Sequence, residues 1–237
     1  MFVRFDMVLF DLDGTLLPMD QDQFVTAYFG LLAKKLAPLG YESKALIDGI
    51  WTGTAAMVKN DGLITNEQAF WNRFCQLFGE KARQDEPVFD AFYRNEFQQV
   101  QQVCGYTPDA ARVIAKVKEK GLPVALATNP IFPAVATESR IRWAGLSPED
   151  FVCYTTYENS DCCKPNPLYY ARLAQKLGVA PERCLMIGND ATEDVAAAKV
   201  GMSVFLLTPC LINKENIDLN AWPHGDFEAL LQYLETL

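Results

Sequence analysis

Short apolar runs that stop abruptly at polar or small residues constrain the fold of this chain more than any other feature. Four runs are clear and a fifth is weaker, and helical patterns separate them. A short run that is apolar on both faces is typical of a buried parallel strand. The clear runs span residues 7–10, 123–127, 184–187 and 203–207, and the weaker one spans 151–156. We therefore predict an α/β fold with a doubly wound parallel sheet.

Helical patterns fill the stretches between the later runs. One begins at Thr107-Pro108-Asp109, which supplies a cap residue, a proline in the first turn and an early acid, and it ends at Gly121. Two more are predicted over residues 167–178 and 192–200. Strands that alternate with helices in this way form βαβ units.

Residues 18–105 differ from the rest because they contain no convincing strand. Amphipathic helices are predicted over residues 23–36, 44–58, 67–78 and 87–103, and Thr65 and Gln68 have the spacing of a capping box. We therefore predict an α/β core built from residues 1–17 and 106–237, with residues 18–105 inserted as a helical domain.

Composition excludes several classes of function. The 237 residues carry a net charge of −9, which argues against a nucleic-acid partner because phosphate neutralisation needs a basic face. The single histidine, His224, cannot build a histidine-rich metal site, and no Gly-x-Ser-x-Gly segment is present to support a serine triad. Hydrolytic chemistry in this chain must therefore depend largely on carboxylates.

Cysteine usage and hydropathy predict a cytoplasmic protein. The seven cysteines show no Cys-x-x-Cys spacing, which favours free thiols in a reducing compartment. No apolar run approaches the roughly 20 residues of a membrane span, and acids interrupt the N-terminal region before a signal-peptide core could form. We expect no membrane partner.

Polar side chains cluster where the predicted strands end. Ligands of open α/β sheets bind at this edge. Clustered carboxylates favour a hard cation such as Mg²⁺, and a nearby lysine attracts an anion such as phosphate. One carboxylate could attack phosphorus while a second handles the leaving-group proton. The side chains concerned are Asp11, Asp13, Thr128, Asn129, Lys164, Asp190 and Asp194.

These segments resemble, in order, the four motifs of the haloacid dehalogenase superfamily. The helical insert is similar to the C1 cap of the phosphoglycolate phosphatase and β-phosphoglucomutase group. The resemblance covers nearly the whole chain, and it implies a Rossmann-like core with a C1 cap over residues 18–105. The matching segments are Asp11-Leu12-Asp13-Gly14-Thr15, Thr128-Asn129, Lys164-Pro165 and Gly188-Asn189-Asp190-Ala-Thr-Glu-Asp194.

The resemblance implies a role for each motif residue. Asp11 would be the nucleophile that forms an aspartyl-phosphate. Asp13 would protonate the leaving oxygen and then activate water. Thr128 and Asn129 would hold the phosphoryl group, and Lys164 would neutralise charge between that group and the nucleophile.

The same resemblance implies a Mg²⁺ site. Its ligands would be Asp11, the backbone carbonyl of Asp13, and Asp190, while Asp194 would orient the metal's water shell or ligate directly. Many C1 relatives place an acid where this chain has Asn189. We favour Asp190 as the ligand, and Asn189 stays an alternative.

The implied activity is Mg²⁺-dependent hydrolysis of a small phosphorylated metabolite. Asp13 favours phosphate esters, because dehalogenases and phosphonate hydrolases of the superfamily lack this second acid. A sugar phosphomutase is the alternative on the same chemistry. A receiver-like or non-catalytic phosphate-binding signalling protein is the alternative from another class. In the insert, Thr52, Gly53 and Thr54 are the candidates for contact with the leaving group. The substrate and the oligomeric state stay open.

Overall fold

The computed structural model describes residues 5–237, which form a five-stranded parallel sheet with helices on both faces. The strands are β1 (Met7–Phe10), β2 (Val124–Leu126), β3 (Cys184–Gly188), β4 (Ser203–Leu207) and β5 (His224–Gly225). Their order across the sheet is β2-β1-β3-β4-β5, and every neighbouring pair is parallel. The predicted α/β fold is therefore confirmed.

The fifth strand is not the one predicted from the sequence. Residues 151–156 run beside β2, and the Val152 N–H donates to the Val124 carbonyl at 2.8 Å. Only Tyr154 forms a bridge there, with Leu126. β5, at the opposite edge, takes the fifth place, and its two residues contain no apolar run that could have marked it.

The helices also differ from the prediction at several points. The helix predicted over residues 87–103 breaks at Asn95 into an α-helix (Glu86–Arg94) and a 3₁₀ helix, and residues 192–200 contain a 3₁₀ helix from Val195–Val200. Three helices were not predicted: Lys81–Gln84, Ala134–Trp143 and Phe227–Glu235. Within residues 5–237 the α-helices are α1 (Gln21–Leu36), α2 (Ser43–Val58), α3 (Asn66–Phe78), α4 (Lys81–Gln84), α5 (Glu86–Arg94), α6 (Asp109–Glu119), α7 (Ala134–Trp143), α8 (Pro167–Leu177) and α9 (Phe227–Glu235).

Two apolar layers cover the sheet because successive side chains of a strand point to opposite faces. Val8 and Phe10 of β1 pack on the side of α6 and α9, in a core that continues into helices α1–α5. Leu9 packs on the other side, against Tyr170 and Leu173 of α8. All four residues of β1 are buried, which explains the uninterrupted apolar run in its sequence.

Two crossing segments connect residues 18–105 to the sheet. Met19 and Cys104 form an antiparallel bridge, and the Gly105 N–H donates to the Pro18 carbonyl at 2.7 Å. A Cβ at Gly105 would lie only 3.2 Å from that carbonyl oxygen, so glycine permits the close approach. The division into core and cap stays a prediction, and this crossing supports it.

The start of α3 ties the helical insert to the loops of the core. Thr65 and Gln68 form the predicted capping box. The next residue, Asn66, is fully buried, and its side-chain amide donates to the carbonyls of Pro130 and Cys162 at 3.1 and 3.3 Å. None of the helices formed by residues 5–237 is both long and apolar enough to cross a membrane.

Candidate active site

Six of the seven polar side chains predicted to cluster at the strand ends border one cavity of about 600 Å³ at the carboxyl edge of the sheet. The edge lies where the chain switches sides, since β2 and β3 flank β1 on opposite sides. Open α/β sheets bind their ligands at this position. The six residues are Asp11, Asp13, Thr128, Asn129, Asp190 and Asp194.

Lys164 lies behind this cavity as a buried cation between two carboxylates. Its Nζ donates to Asp11 Oδ1 at 2.8 Å and to Asp194 Oδ1 at 2.6 Å, and the side chain is 1% exposed. Burial alone would lower the pKa of Lys164, but the two carboxylates outweigh it and raise the pKa well above its usual value. Lys164 therefore stays charged and holds one oxygen of Asp11 in place.

Thr15 holds the other oxygen of Asp11. Its hydroxyl lies 3.0 Å from Asp11 Oδ2 and 3.0 Å from Asn189 Oδ1, and its single proton serves one acceptor at a time. The Asn189 amide also donates to the Cys210 carbonyl at 2.7 Å. A Cβ at Gly14 would lie 2.3 Å from that amide nitrogen, so the motif needs glycine there. Asn189 thus braces the loop that carries the nucleophile candidate.

Asp13 does not share the environment of Asp11. Its Oδ2 accepts a hydrogen bond from the guanidinium of Arg140 on α7, which is 1% exposed and lies 4.4 Å from the ring centre of Phe132. Its Oδ1 is buried and has no partner among the described residues. Burial raises the pKa of Asp13, although Arg140 opposes the shift. Arg140 was not among the predicted site residues, because no helix was predicted over the residues of α7.

The turn after β3 fixes the two acids of the fourth motif. Asp190 Oδ1 accepts the backbone N–H groups of Thr192 and Glu193 at 2.7 and 2.8 Å. Asp194 Oδ2 accepts the Asp190 N–H at 2.9 Å, while its Oδ1 accepts from Lys164 as described. A Cβ at Gly188 would lie 2.0 Å from Asp194 Oδ2, so this packing requires glycine. Asp194 therefore positions its neighbours with both oxygens.

The residues after β2 present polar groups to the same cavity. The Thr128 carbonyl accepts hydroxyl protons from Thr155 and Tyr169 at 2.6 and 2.9 Å, which locks the backbone there. The Asn129 amide donates to both oxygens of Glu193 at 3.0 and 3.1 Å, and its own oxygen is buried without a partner among residues 5–237. Burial raises the pKa of Glu193 to about 7. No sequence motif pointed to Glu193.

The donor set at this edge fits a hard divalent cation. Asp11 and Asp190 both border the cavity and offer carboxylate oxygens, and Oδ2 of Asp190 has no hydrogen-bond partner in the described part of the chain. Within residues 5–237 no three acidic, thiol or imidazole side chains are grouped to hold a metal ion. The predicted ligand set is compatible with that finding, because its third member is the backbone carbonyl of Asp13. Oxygen ligands of this kind suit Mg²⁺.

The three residues of the insert predicted to contact the leaving group, Thr52, Gly53 and Thr54, lie in different environments. All three lie inside the continuous helix α2, and only Thr54 borders the cavity. The Thr52 hydroxyl donates back to the Asp48 carbonyl at 2.7 Å. Gly53 is buried, and a Cβ there would lie 2.6 Å from the Phe70 ring. The glycine therefore serves helix packing.

Comparison with known proteins shows the same architecture in solved structures. A phosphatase from Thermococcus onnurineus has a TM-score of 0.60 at 18% identity, over 97% of each chain. The L-2-haloacid dehalogenase RSc1362 has a TM-score of 0.59 at 16% identity, over 98% of this chain and 99% of that one. At such identities the likeness shows the fold alone.

Sequence similarity is more specific than the fold. The chain is 26% identical to phosphoglycolate phosphatase of Shigella dysenteriae serotype 1 over 207 residues, which cover 81% of this chain and 76% of that protein. The family model for haloacid dehalogenase-like hydrolases matches residues 5–201, which include all four motif segments. The chain therefore belongs to the haloacid dehalogenase-like hydrolases and is an enzyme of that family.

Proposed function

We propose that this enzyme hydrolyses the phosphate monoester of a small metabolite through a phosphoaspartate at Asp11. The observation that carries the proposal is the separate pairing of two neighbouring carboxylates, Asp11 with Lys164 and Asp13 with Arg140. Two carboxylates in different environments can take different roles in one reaction. The phosphatase relative described above supports the same reaction class.

The first half-reaction transfers the phosphoryl group to the enzyme. A carboxylate oxygen of Asp11 attacks phosphorus, the bond between phosphorus and the alcohol oxygen breaks, and Asp13 donates its proton to that oxygen. The raised pKa of Asp13 favours the protonated form that this step needs. The Thr128 hydroxyl, the Asn129 amide and Lys164 bind the phosphoryl oxygens.

The second half-reaction releases phosphate. Asp13, now ionised, accepts a proton from water as the water oxygen attacks phosphorus. The bond between phosphorus and Asp11 breaks, which restores the carboxylate and frees inorganic phosphate. Arg140 keeps the Asp13 carboxylate in one orientation through both transfers.

A magnesium ion completes this proposal. Asp11, the Asp13 carbonyl and Asp190 would hold it, with Asp194 orienting its surroundings. When bound, it neutralises charge on the phosphoryl oxygens. Asp190 is favoured over Asn189 because its Oδ2 has no hydrogen-bond partner among residues 5–237, whereas the Asn189 amide nitrogen donates to the Cys210 carbonyl and its oxygen lies 3.0 Å from the Thr15 hydroxyl.

A hydrolysis screen over small phosphate esters tests the proposal directly. We expect phosphate release that stops on chelation, resumes with Mg²⁺ and is absent in Asp11→Asn. Activity that persists without metal, or in Asp11→Asn, would overturn the mechanism. The same screen with phosphorylated hexoses separates hydrolysis from a mutase reaction, because a mutase returns an isomeric ester and little free phosphate.

We also propose a cytoplasmic location and a small-molecule substrate, with no nucleic-acid or membrane partner. All seven cysteines are free of disulfides, as is usual in a reducing compartment. The net charge of −9 supports the absence of a polyanionic partner.

A further inference from the structure

The cavity beside Asp11 is far larger than a phosphate group needs. Its volume of about 600 Å³ extends from the motif residues to helices α1, α2, α3 and α5 of the insert. The part of the substrate beyond the phosphate group must fill this space. The residues that line the cavity therefore determine which alcohols the enzyme accepts. The chemistry of that lining is unusual for a site that binds anions.

Aromatic side chains form much of the wall away from the motif residues. Tyr28 and Tyr93 stack with ring centres 6.2 Å apart and share a hydrogen bond between their hydroxyls at 2.8 Å. Trp71 packs edge-on against Phe70 and Phe89, with centres 5.4 Å apart in each pair. These rings, together with Tyr157, border the cavity. Such a wall suits an apolar body or a cation held against ring faces.

Charge in the same region is almost entirely negative. Arg94 is the only cationic side chain among the described residues that border the cavity, and both of its bonds go to Asp90, at 2.8 and 3.1 Å. Lys164 and Arg140 are engaged with the motif carboxylates. The acids that border the cavity outside the motifs and the β3 turn are Glu67, Glu86, Asp90, Glu138 and Glu158.

Glu67 is the acid in this group whose carboxylate lacks a hydrogen-bond or ion-pair partner within residues 5–237. Glu158 accepts the Ala134 N–H, Glu86 pairs with Arg83 at 3.3 Å, and Glu138 accepts the Tyr154 hydroxyl. Burial raises the pKa of Glu67, the charges of Glu158 and Glu86 raise it further, and the charge of Arg83 opposes the shift. A positive group in the cavity would relieve this repulsion, whereas a second anion would add to it.

From this lining we propose that the enzyme prefers phosphate esters of alcohols that carry an amine or quaternary ammonium group. The inference rests on the proposed phosphatase function. Rings hold the cation and its apolar surroundings, and Glu67 supplies the opposite charge. A substrate with a carboxylate or a second phosphate would find no unpaired cationic side chain along this wall. The proposed preference therefore differs from phosphoglycolate, the substrate in the name of the Shigella dysenteriae relative.

The test compares three esters that differ at the far end. Phosphocholine carries the cation, its carbon isostere dimethylbutyl phosphate has the same shape without charge, and phosphoglycolate carries a carboxylate. Each is measured as a substrate and as a competitor of p-nitrophenyl phosphate hydrolysis. We expect phosphocholine to exceed the isostere by about tenfold in kcat/KM or in competition, with phosphoglycolate weakest.

A pair of variants tests the role of Glu67. Glu67→Gln keeps the shape and removes the charge, so the ratio of phosphocholine to isostere should fall severalfold. That ratio is taken within one protein, so it does not depend on how much of the variant is folded. Glu80→Gln, at an exposed position outside the cavity, should leave the ratio unchanged.

The outcomes separate the two proposals. Phosphocholine that binds no better than its isostere or than phosphoglycolate, or a ratio insensitive to Glu67→Gln, would overturn the cation preference while phosphatase activity stands. An enzyme that hydrolyses no phosphate ester, p-nitrophenyl phosphate included, would overturn the proposed function itself.

Discussion

The guanidinium of Arg140 donates a hydrogen bond to Asp13 Oδ2, although the two residues are 127 positions apart. Arg140 is itself held by its stacking on Phe132 and by a bond from its Nε to the Ala136 carbonyl at 3.3 Å. The acid-base candidate is thus oriented by a rigid helix of the core, and its orientation does not depend on the nucleophile's own partners.

Replacing Arg140 should impair proton transfer more than phosphoryl binding. In Arg140→Met we expect kcat to fall by about 100-fold on alkyl phosphates, whose leaving oxygen needs a proton. On p-nitrophenyl phosphate, whose leaving group is stable as an anion, the loss in the first step should be much smaller. Arg140→Lys should recover part of the activity, and Arg142→Met, exposed on the same helix, serves as control. Equal losses on both substrates would indicate only a structural role.

The two aspartates of the first motif should differ in covalent chemistry. Asp13→Asn keeps the nucleophile but lacks the group that activates water, so a phosphoprotein should accumulate with p-nitrophenyl phosphate. Asp11→Ala should form none. Intact-protein mass spectrometry after rapid quenching measures the added phosphoryl mass, and its appearance on Asp11→Ala would contradict the assignment of the nucleophile.

Metal activation should distinguish Asp190 from Asn189. Asp190→Ala removes a carboxylate with a free oxygen, so the Mg²⁺ concentration for half-maximal activity should rise by at least about tenfold. Asn189→Ala removes the brace between Thr15 and the Cys210 carbonyl. It should lower thermal stability while changing the Mg²⁺ requirement less. A reversed ranking in the Mg²⁺ titrations would make Asn189 the ligand.

Thr54 and Thr52 offer a matched test on one helix. Thr54 borders the cavity, whereas the Thr52 hydroxyl bonds to its own helix backbone. With a substrate that fills the cavity, Thr54→Val should lower kcat/KM by about 3- to 10-fold, the value of one hydrogen bond. Thr52→Val should change it little. Similar kinetics in both variants would remove Thr54 from substrate recognition.

We expect protonation of the Asp85 carboxylate in acid to lower the stability of the insert. Lys81 and the Tyr41 hydroxyl donate to its carboxylate at 2.6 and 2.9 Å, and the bond from Lys81 lowers the pKa of Asp85. A lowered carboxyl pKa stabilises the fold above the unfolded pKa of about 4, and this contribution is lost as the pH falls through the folded value.

Asp85→Asn should therefore lower the free energy of unfolding by about 0.5–1 kcal/mol near neutral pH, and its difference from the native protein should be smaller near pH 3. Urea unfolding at both pH values measures this. Asp48→Asn, which breaks an exposed Lys44 pair, is the control and should have little effect. A difference that grows on acidification would contradict the argument.

Local sequence patterns predicted an element correctly where its buried residues are apolar. β1 is buried along its whole length, so its apolar run and its polar stop marked both the strand and Asp11. They failed at α7, where the buried residues mix the polar Thr137, Ser139 and Arg140 with the apolar Ala136, Ile141 and Trp143. Periodicity detects apolar burial, and this helix buries polar groups.

The parallel sheet and the position of Asp11, Thr128 and Asp190 at one edge could be predicted from local sequence, because neighbouring residues encode where each strand ends. Which side chains meet at that edge depends on the tertiary fold. Arg140 reaches Asp13 across 127 positions and Asn129 reaches Glu193 across 64. The acidic and aromatic side chains that border the cavity likewise come from separate parts of the chain. Such pairings depend on how the helices and strands pack in space, so they cannot be predicted from the spacing of residues along the chain.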